Sequence, residues 1–385
     1  MSIRVVLGYG LGVDSTAILL RWIHEPETRP CDLSELLVIT AMTGDEWPES
    51  GRLVREHILP LMREHGIRYV QVARHGARKA DGITVLSDSS RPGTLHLDGD
   101  YRLSDEMNAS GTVPQVGGIR KCSMKAKGAV IDEFLARTLE GAPFMHAIGF
   151  EANELSRAVR DARYNTEQRT GFYPLIGWDW DRAKCEAYIT EKTGATWIKS
   201  ACTFCPFALA NKAGQARVKD MYSCEPDSGV GALVMEYRSL CLNPNQGLIK
   251  EGSLLQLLIG TRRHNTVLRA WGQRMRSLEW RVYEVRRVAL PTANDPSKGV
   301  WSRSVRSIAA GSREEMDREL AALAASEGAE VETDSLAVSR VHLARRGGTF
   351  PAYEHMYVVA PAGAADKEPK AFRTAMARYQ ALLAA

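Results

Sequence analysis

The sequence predicts an α/β fold with a parallel sheet, followed by a smaller α+β domain. In the first half of the chain, short apolar and β-branched runs alternate with amphipathic segments, which is the pattern of right-handed βαβ crossovers. After residue 280 the order changes to two strands, a helix, two strands and a helix. A length of 385 residues exceeds one average core and also favours two domains.

The first half is predicted to contain four strands and four helices. The strands cover residues 3–7, 36–40, 69–73 and 144–149, and the helices cover residues 16–23, 50–64, 125–138 and 181–192. Asp181 is expected to cap the last of these helices. Between residues 74 and 118 periodicity fades and Gly, Asp and Ser dominate, so we expect a long loop or lid there.

The second half is predicted to be helical up to about residue 260 and mixed afterwards. Strands are expected at residues 280–288, 300–309, 337–344 and 356–360, and helices at residues 313–326 and from Pro369 onward. These patterns predict a first domain over residues 1–250, a helical basic connector over 251–280, and a small α+β domain over 281–385. The last domain is a candidate for substrate binding.

Composition narrows the class of protein. Apolar residues make up 44% and charged residues 25%, which excludes a mostly disordered or collagen-like chain. Without a long apolar run or a signal-peptide pattern, we expect a cytoplasmic protein that is not membrane-bound. Seven cysteines are sparse, odd in number and clustered, which favours metal or redox chemistry over a disulfide framework.

The net charge of +4 is unevenly distributed along the chain. Residues 261–310 carry ten Arg and one Lys against three acidic residues, a balance of +8, so the rest of the chain is at −4. A basic segment beside a nearly neutral body is typical of a protein with a polyanionic partner. The alternative is a solvated arginine-rich face with no partner.

A glycine-rich turn follows the first predicted strand, with the sequence Gly8-Tyr9-Gly10-Leu11-Gly12-Val13-Asp14-Ser15-Thr16. Backbone N–H groups and the helix dipole would converge there on an anion such as phosphate. Ser15 and Thr16 can add hydroxyl donors, and Asp14 could hold Mg²⁺. The spacing excludes a Walker loop and a G-x-G-x-x-G dinucleotide turn. A glycine-rich turn without a ligand is the alternative.

The same stretch resembles the PP-loop ATP pyrophosphatases, whose pattern is S-G-G-x-D-S. Gly10 stands for the serine and Leu11 for a glycine, while Gly12, Asp14 and Ser15 match. Further segments resemble the PAPS reductase branch of that superfamily. They are Thr43-Gly44-Asp45-Glu46, Lys121-Cys122-Ser123-Met124-Lys125, Ile148-Gly149-Phe150-Glu151-Ala152-Asn153-Glu154 with Arg157, and Tyr173-Pro174-Leu175-Ile176. The resemblance covers roughly residues 5–207.

This resemblance implies a nucleotide alpha hydrolase-like (Rossmann-like, HUP-type) domain that binds ATP, transfers adenylate to a substrate oxygen and releases pyrophosphate. It assigns magnesium and pyrophosphate to Asp14 and Ser15, and phosphate charge to Lys121, Lys125 and Arg157. The residues that it places around the nucleotide are Gly8, Gly10, Leu11, Gly12, Thr16, Thr43, Gly44, Glu46 and Gly149.

The cysteines indicate a metal site. Cys202 and Cys205 form a C-x-x-C followed by Pro206, and Cys122 lies before a predicted helix. The resemblance to iron–sulfur-dependent thiolation enzymes implies that these three cysteines hold a [4Fe–4S] cluster with one open iron. A structural zinc with Cys224, Cys241 or a histidine as fourth ligand, a thioredoxin-like dithiol, and inert buried thiols are alternatives. Cys31 and Cys185 are expected to be packing residues.

The leading hypothesis is an ATP-dependent adenylating enzyme that modifies DNA or tRNA by sulfur insertion, with a cysteine desulfurase as the expected sulfur donor. One rival is a sulfonucleotide reductase, although the C-terminal Glu-Cys-Gly of that group is missing here. A second rival is a non-catalytic nucleotide-binding component of a DNA-modification or defence system. Release of pyrophosphate separates the enzymes of the leading class from the non-catalytic alternative.

Overall fold

A computed structural model describes residues 3–116 and 121–384 of the chain. These residues form two compact units. The first unit takes in the described residues up to Asp105 and from Lys121 to Cys205, and the second takes in Glu106–Val116 and the described residues from Pro206 onward. Within the described ranges, no helix combines the length and the apolar character needed to cross a bilayer.

The first unit is built on a six-stranded, mostly parallel sheet with the order β4-β3-β2-β1-β5-β6. The strands are β1 (Val5–Gly8), β2 (Leu36–Met42), β3 (Arg68–Arg74), β4 (Ile83–Ser89), β5 (Phe144–Ala147) and β6 (Arg169–Phe172). Only the pairing of β3 with β4 is antiparallel. The strand order reverses at β1, and ligands bind α/β sheets at the carboxyl ends of strands beside such a reversal.

Helices cover both faces of this sheet, as continuously apolar strands require. In chain order they are α1 (Val13–His24), α2 (Pro48–Leu53), α3 (Leu59–Glu64), α4 (Leu103–Ser110), α5 (Lys121–Ser123), α6 (Ala129–Leu139), α7 (Leu155–Asp161), α8 (Pro174–Gly177) and α9 (Arg182–Thr193). The π-helical turns Val54–Ile58 and Met124–Gly128 make α2–α3 and α5–α6 continuous. The α/β fold with a parallel sheet is therefore confirmed.

The predicted loop over residues 74–118 is wrong as a whole, because it contains β4 and all of α4. β4 is a half-buried edge strand without a clear apolar alternation, and its pairing with β3 supplies the order. The bidentate contact from Arg68 to Asp88, at 2.8 and 2.7 Å, supports this pairing. Gly117 and Gly118 of the predicted loop lie outside the described residues.

The second unit combines helices with a five-stranded sheet of order β8-β7-β11-β10-β9, in which every pairing is antiparallel. Its strands are β7 (Trp280–Pro291), β8 (Gly299–Gly311), β9 (Val331–Thr333), β10 (Ser339–Ala344) and β11 (Ala352–Pro361). Its helices are α10 (Lys212–Cys224), α11 (Pro226–Leu242), α12 (Leu254–Leu258), α13 (Asn265–Ser277), α14 (Arg313–Ser326) and α15 (Lys370–Ala384). The predicted α+β character of the C-terminal region is confirmed.

The division between the units lies at Cys205 and Pro206, whereas the sequence pattern placed it near residue 250. The reason is the packing of α11, whose Tyr237, Cys241 and Leu242 belong to one core with Trp280 and the sheet of the second unit. Residues 206–250 and the predicted connector therefore pack as part of the second unit.

Candidate functional site

The glycine turn lies where the strand order reverses, directly after β1. Gly12 is the N-cap of α1. Because glycine has no side chain, the N-cap residue cannot accept a hydrogen bond from the first N–H groups of the helix. Within the turn, Gly10 N donates to Ser15 Oγ at 3.1 Å. Ser15 is buried and its hydroxyl also donates to Gly12 O at 3.5 Å, so this hydroxyl stabilises the turn.

Leu11 occupies a left-handed conformation with φ of +61°, where the superfamily pattern has glycine. This conformation costs a leucine about 1–2 kcal/mol. Its side chain is only 1% exposed and belongs to the main core of the first unit, which offsets the cost. The Leu11 side chain thus points into the core.

A segment from Trp197 to Ser200 packs on this turn. Trp197 Nε1 donates to Leu11 O at 3.1 Å. A Cβ built on Gly12 would lie 2.7 Å from Ser200 Oγ, so only glycine fits there. A Cβ built on Gly10 would lie 3.6 Å from the same oxygen. The Ser200 hydroxyl is therefore part of the surface that the turn presents.

Asp14 is the centre of a charged cluster. Its Oδ2 lies 3.1 Å from Arg182 Nη2, while its Oδ1 is buried and has no hydrogen-bond partner among residues 3–116 and 121–384. The same guanidinium contacts Glu151 Oε1 at 2.6 Å. Burial raises the pKa of Asp14 to about 6, Arg182 and Lys199 lower it, and Glu151 and Glu154 raise it. A buried acceptor without a partner is the group in this cluster most able to bind a cation.

The segment after β5 closes the cluster from the other side of the reversal. A Cβ built on Gly149 would lie 2.8 Å from Asp14 Cβ, so glycine is required for this close approach. Glu154 Oε2 accepts from Glu151 N at 3.3 Å, and its Oε1 contacts Arg157 Nη1 at 2.6 Å. The structure therefore brings Gly149 and Arg157 into the network that surrounds Asp14.

Two of the predicted nucleotide-binding residues have structural roles. Thr16 is completely buried, and its Oγ1 lies 3.2 Å from the hydroxyl of Tyr9. Gly8, at the end of β1, lies against His146, because a Cβ there would be 3.4 Å from Nε2. Burial lowers the pKa of His146 to about 4, and Arg169 Nε donates to its Nδ1 at 3.1 Å, so this imidazole is neutral.

The turn after β2 is fixed by Glu46. Its Oε1 accepts from Thr43 N at 3.0 Å and from Thr43 Oγ1 at 2.8 Å, and its Oε2 accepts from Gly44 N at 3.1 Å. Gly44 has φ of +81°, which favours glycine. Burial raises the pKa of the neighbouring Asp45 to about 6. Both oxygens of the Glu46 carboxylate therefore accept hydrogen bonds from the turn in which Glu46 lies.

The C-x-x-C segment contacts that turn. Thr203 N donates to Asp45 O at 2.9 Å, and Thr43 Oγ1 lies 3.5 Å from Cys202 Sγ. Cys205 N donates to Cys202 O at 3.0 Å, which folds the two cysteines into one tight turn. The segment from Trp197 to Cys205 thus joins the glycine turn to the turn after β2.

Burial raises the pKa of Cys202 to about 12, while the charge of Lys127 lowers it. Lys127 lies in the π-helical turn that continues α5, and α5 carries Cys122. Among residues 3–116 and 121–384, no three His, Cys, Asp or Glu side chains form a group able to hold a metal ion. The three-cysteine site stays a prediction.

The other cysteines differ in exposure. Cys185 and Cys241 are completely buried in the cores of the first and second unit, and burial raises the pKa of each to about 12. Cys31 is partly buried, and burial raises its pKa to about 11. Cys224 is exposed. Lys121 is also exposed, at the first described position of α5, and its predicted role stays open.

The basic segment is largely neutralised in the structure. Six of its eleven cations form ion pairs with carboxylates: Arg263, Arg281, Arg286, Arg287, Lys298 and Arg306. Arg303 donates to the carbonyl oxygens of Ser110 and Gly111, and burial lowers its pKa to about 10. Exposed arginines without an ion pair in the described part of the chain remain on α13 and just before it. They are Arg262, Arg269, Arg274 and Arg276.

Sequence analysis missed four residues that shape the site: Arg182, Trp197, Lys199 and Ser200. Arg182 directly follows the predicted cap Asp181, and that helix start was the only local signal for it. The other three lie just before the C-x-x-C, where no pattern marks them.

A scan against models of known protein families finds no match to the chain, and a search of curated proteins finds no significant relative.

Proposed function

We propose that the first unit binds ATP at the glycine turn and transfers adenylate to a substrate oxygen. The observation that carries this proposal is Asp14 Oδ1, a buried acceptor without a partner at the first turn of α1. It stands beside uncapped helix N–H groups, an arrangement suited to phosphate and its bound cation. The Leu11 side chain, which lies in the core, does not block the turn.

In the proposed reaction a substrate oxygen attacks the α-phosphorus of ATP. A new O–P bond forms while the bond to the bridging oxygen breaks, and pyrophosphate leaves with that electron pair. The N–H groups of the turn and the hydroxyls of Ser15 and Ser200 would contact phosphate oxygens. Asp14 would hold Mg²⁺, which neutralises phosphate charge when bound. Arg182 would keep the Asp14 carboxylate in place.

The proposed substrate is a nucleic acid, DNA or tRNA. The arginines that form no ion pair within the described residues support a polyanionic partner. Arg269 and Arg276 lie seven residues apart on one face of α13, and Arg262 lies in the 3-10 turn directly before it. Val267 and Met275 form the buried side of the same helix. We therefore assign the predicted polyanion-binding surface to α13 and the turn before it, and not to the whole of residues 261–310.

Sulfur insertion is the proposed second step. Sulfide, released from the persulfide of a cysteine desulfurase by a thiol reductant, would attack the adenylated carbon. A C–S bond forms, the C–O bond to AMP breaks, and AMP leaves with that electron pair. We assign the cluster to Cys122, Cys202 and Cys205, and their side chains would need to rearrange from the described positions to hold it. Anaerobic purification tests this assignment: iron and sulfide should be retained by Cys224→Ser and lost in Cys202→Ser. Stoichiometric zinc without iron would contradict it.

The adenylation step is tested by pyrophosphate release from ATP in the presence of total tRNA or DNA. Asp14→Asn should lower the rate about 100- to 1,000-fold, as for loss of a group that stabilises transition-state charge. Asp179→Asn is the matched control, because Asp179 is exposed and its carboxylate forms a surface ion pair with Lys184. Wild-type protein that binds ATP without releasing pyrophosphate would favour the non-catalytic alternative.

A further inference from the structure

The helix that begins at the edge of the Asp14 cluster exposes an unusual surface. α7 and the 3-10 turn Ala162–Tyr164 that follows it carry three exposed large apolar side chains. Leu155 is 59% exposed, Val159 56% and Tyr164 69%. Single exposed apolar residues are ordinary, but three within ten residues form a patch that calls for a partner.

Two arginines lie within the same patch. Arg160 and Arg163 are exposed and form no ion pair within residues 3–116 and 121–384; Arg160 Nε donates only to Ser156 O, at 3.1 Å. By contrast, Arg157 pairs with Glu154, and Arg169 pairs with Asp161 at 2.7 Å. Arg160 and Arg163 are thus cations of this region that stay without an ion pair in the described part of the chain.

Helix geometry separates the exposed side of α7 from its buried side. Leu155 and Val159 lie four residues apart in α7 and so share one side of the helix. Arg160 lies next to Val159, and the exposed Arg163 and Tyr164 follow in the 3-10 turn. Ala158 is buried, and Asp161 on the opposite side accepts from Tyr173 OH at 2.9 Å. The exposed face therefore combines apolar, aromatic and cationic side chains and contains no acidic one.

We infer that this face, formed by Leu155, Val159, Arg160, Arg163 and Tyr164, binds unpaired nucleotides of a single-stranded nucleic acid. An exposed aromatic ring offers a stacking surface for a base, and free guanidiniums beside it bind backbone phosphates. The absence of acidic side chains on the face complements a polyanion.

The position of the face fits a role in substrate delivery, and in this respect the inference rests on the proposed function. Glu154, directly before α7, contacts Arg157 and bonds to Glu151, which shares Arg182 with Asp14. A nucleotide bound along α7 would therefore enter the region of the proposed adenylation centre from this helix.

The test measures fluorescence anisotropy of labelled oligonucleotides without ATP, so that binding is separate from catalysis. The probes are RNA and DNA single strands of about 20 nucleotides, within the range that such surfaces bind, and the matching duplexes. Tyr164→Ala should weaken single-strand binding roughly 5- to 100-fold, as for loss of one stacked base. Tyr164→Phe should retain it. The RNA and DNA arms decide which backbone is preferred.

Arg160→Gln with Arg163→Gln should weaken binding and reduce the salt dependence, by a slope of about 1.4 for two single-strand phosphates. Leu383→Ala and Arg378→Gln on α15 are matched controls, because both residues are exposed and belong to the second unit, whereas α7 belongs to the first. All variants should keep the wild-type melting temperature, since the altered side chains are exposed.

Three results would overturn the inference. The first is equal affinity of wild type and Tyr164→Ala; the second is equal weakening by the α15 controls. The third is a wild-type homodimer in sedimentation that Tyr164→Ala dissociates, because the face would then bind a second copy. Asp14→Asn should bind the oligonucleotides normally. If wild type binds them through this face but releases no pyrophosphate, the proposed function fails and this inference stands.

Discussion

Two carboxyl groups with buried oxygens, one in each unit, differ in their hydrogen bonding. Glu236 in α11 is 2% exposed, and its two oxygens accept from Leu248 N at 2.7 Å and Leu254 N at 2.6 Å. Asp14 shares one oxygen with Arg182 and leaves the other buried without a partner. The first carboxyl fixes a loop, whereas the second keeps an acceptor available.

The difference shows how to separate a structural acid from a ligand-binding one. Burial raises the pKa of both groups, of Glu236 to about 7 and of Asp14 to about 6, so a raised pKa does not distinguish them. The hydrogen bonds distinguish the two groups, because buried acceptors in folded proteins normally have a hydrogen-bond partner. Glu236 is satisfied by the chain itself, and Asp14 is not.

The largest expected effect is on the free energy of unfolding, when each of the two carboxylates is removed in turn. Glu236→Ala leaves two buried N–H groups without acceptors, and each costs about 1–3 kcal/mol. We expect the free energy of unfolding to fall by about 2–5 kcal/mol in urea denaturation. Asp14→Ala should cost far less at pH 7, since it removes a buried charge with an unsatisfied oxygen. Equal losses would break the comparison.

Glu236 should contribute to the pH dependence of stability, together with Asp14 and Asp45, whose pKa values burial also raises. The pKa of Glu236 is raised in the folded state, so the folded protein binds more protons than the unfolded chain between about pH 4.5 and 7. The stabilisation is complete below the unfolded pKa and is lost as pH rises through 7. The loss amounts to at most about 3 kcal/mol. Urea denaturation of Glu236→Gln at several pH values should show a flatter profile, and an unchanged slope would contradict this assignment.

The second unit contains both paired and unpaired cations. Arg262, Arg269 and Arg276, on α13 and directly before it, form no ion pair within residues 3–116 and 121–384. Replacement of Arg262, Arg269 and Arg276 by Gln should reduce the slope of log affinity for duplex DNA against log salt by about 3. A triple variant of Arg281, Arg286 and Lys298 is the matched control, because these cations are partly or fully exposed and each pairs with a carboxylate. Equal effects of the two variants would support a diffuse basic surface.

Leu11 gives the smallest expected effect. Because its φ is positive, Leu11→Gly should be less destabilising than Leu11→Ala by about 1 kcal/mol, the reverse of the usual order. Both variants lose the buried side chain, so both should be less stable than wild type. Urea denaturation measures the difference. A glycine variant that is less stable than the alanine variant would show that the conformation of the turn is not strained.

Local signals made most of the fold predictable. The helix over residues 313–326 has the bounds expected from the sequence, because Ser312 and Glu315 form a capping box at its start. Asp181 caps α9 by accepting from Lys184 N at 2.9 Å, as predicted. β4 and β6 escaped prediction because pairing with a neighbouring strand, and not an apolar pattern, gives them order.

The candidate site was predictable only where it is contiguous in sequence. The glycine turn and its aspartate follow from local pattern and from the resemblance to PP-loop proteins. Arg182 reaches Asp14 across 168 residues, and Trp197 reaches Leu11 across 186 residues. Such contacts depend on the parallel sheet, which brings the carboxyl ends of distant strands together. No local pattern encodes them.

Calorimetric titration with ATP in the presence and absence of Mg²⁺ tests the central claim most directly. The account predicts that wild type and Asp179→Asn bind one ATP per chain, more tightly with Mg²⁺, and that Asp14→Asn loses most of the contribution from Mg²⁺. Binding by Asp14→Asn with unchanged affinity and unchanged Mg²⁺ dependence would contradict the role of the unpartnered oxygen. Absence of any ATP binding by wild type would contradict the account as a whole.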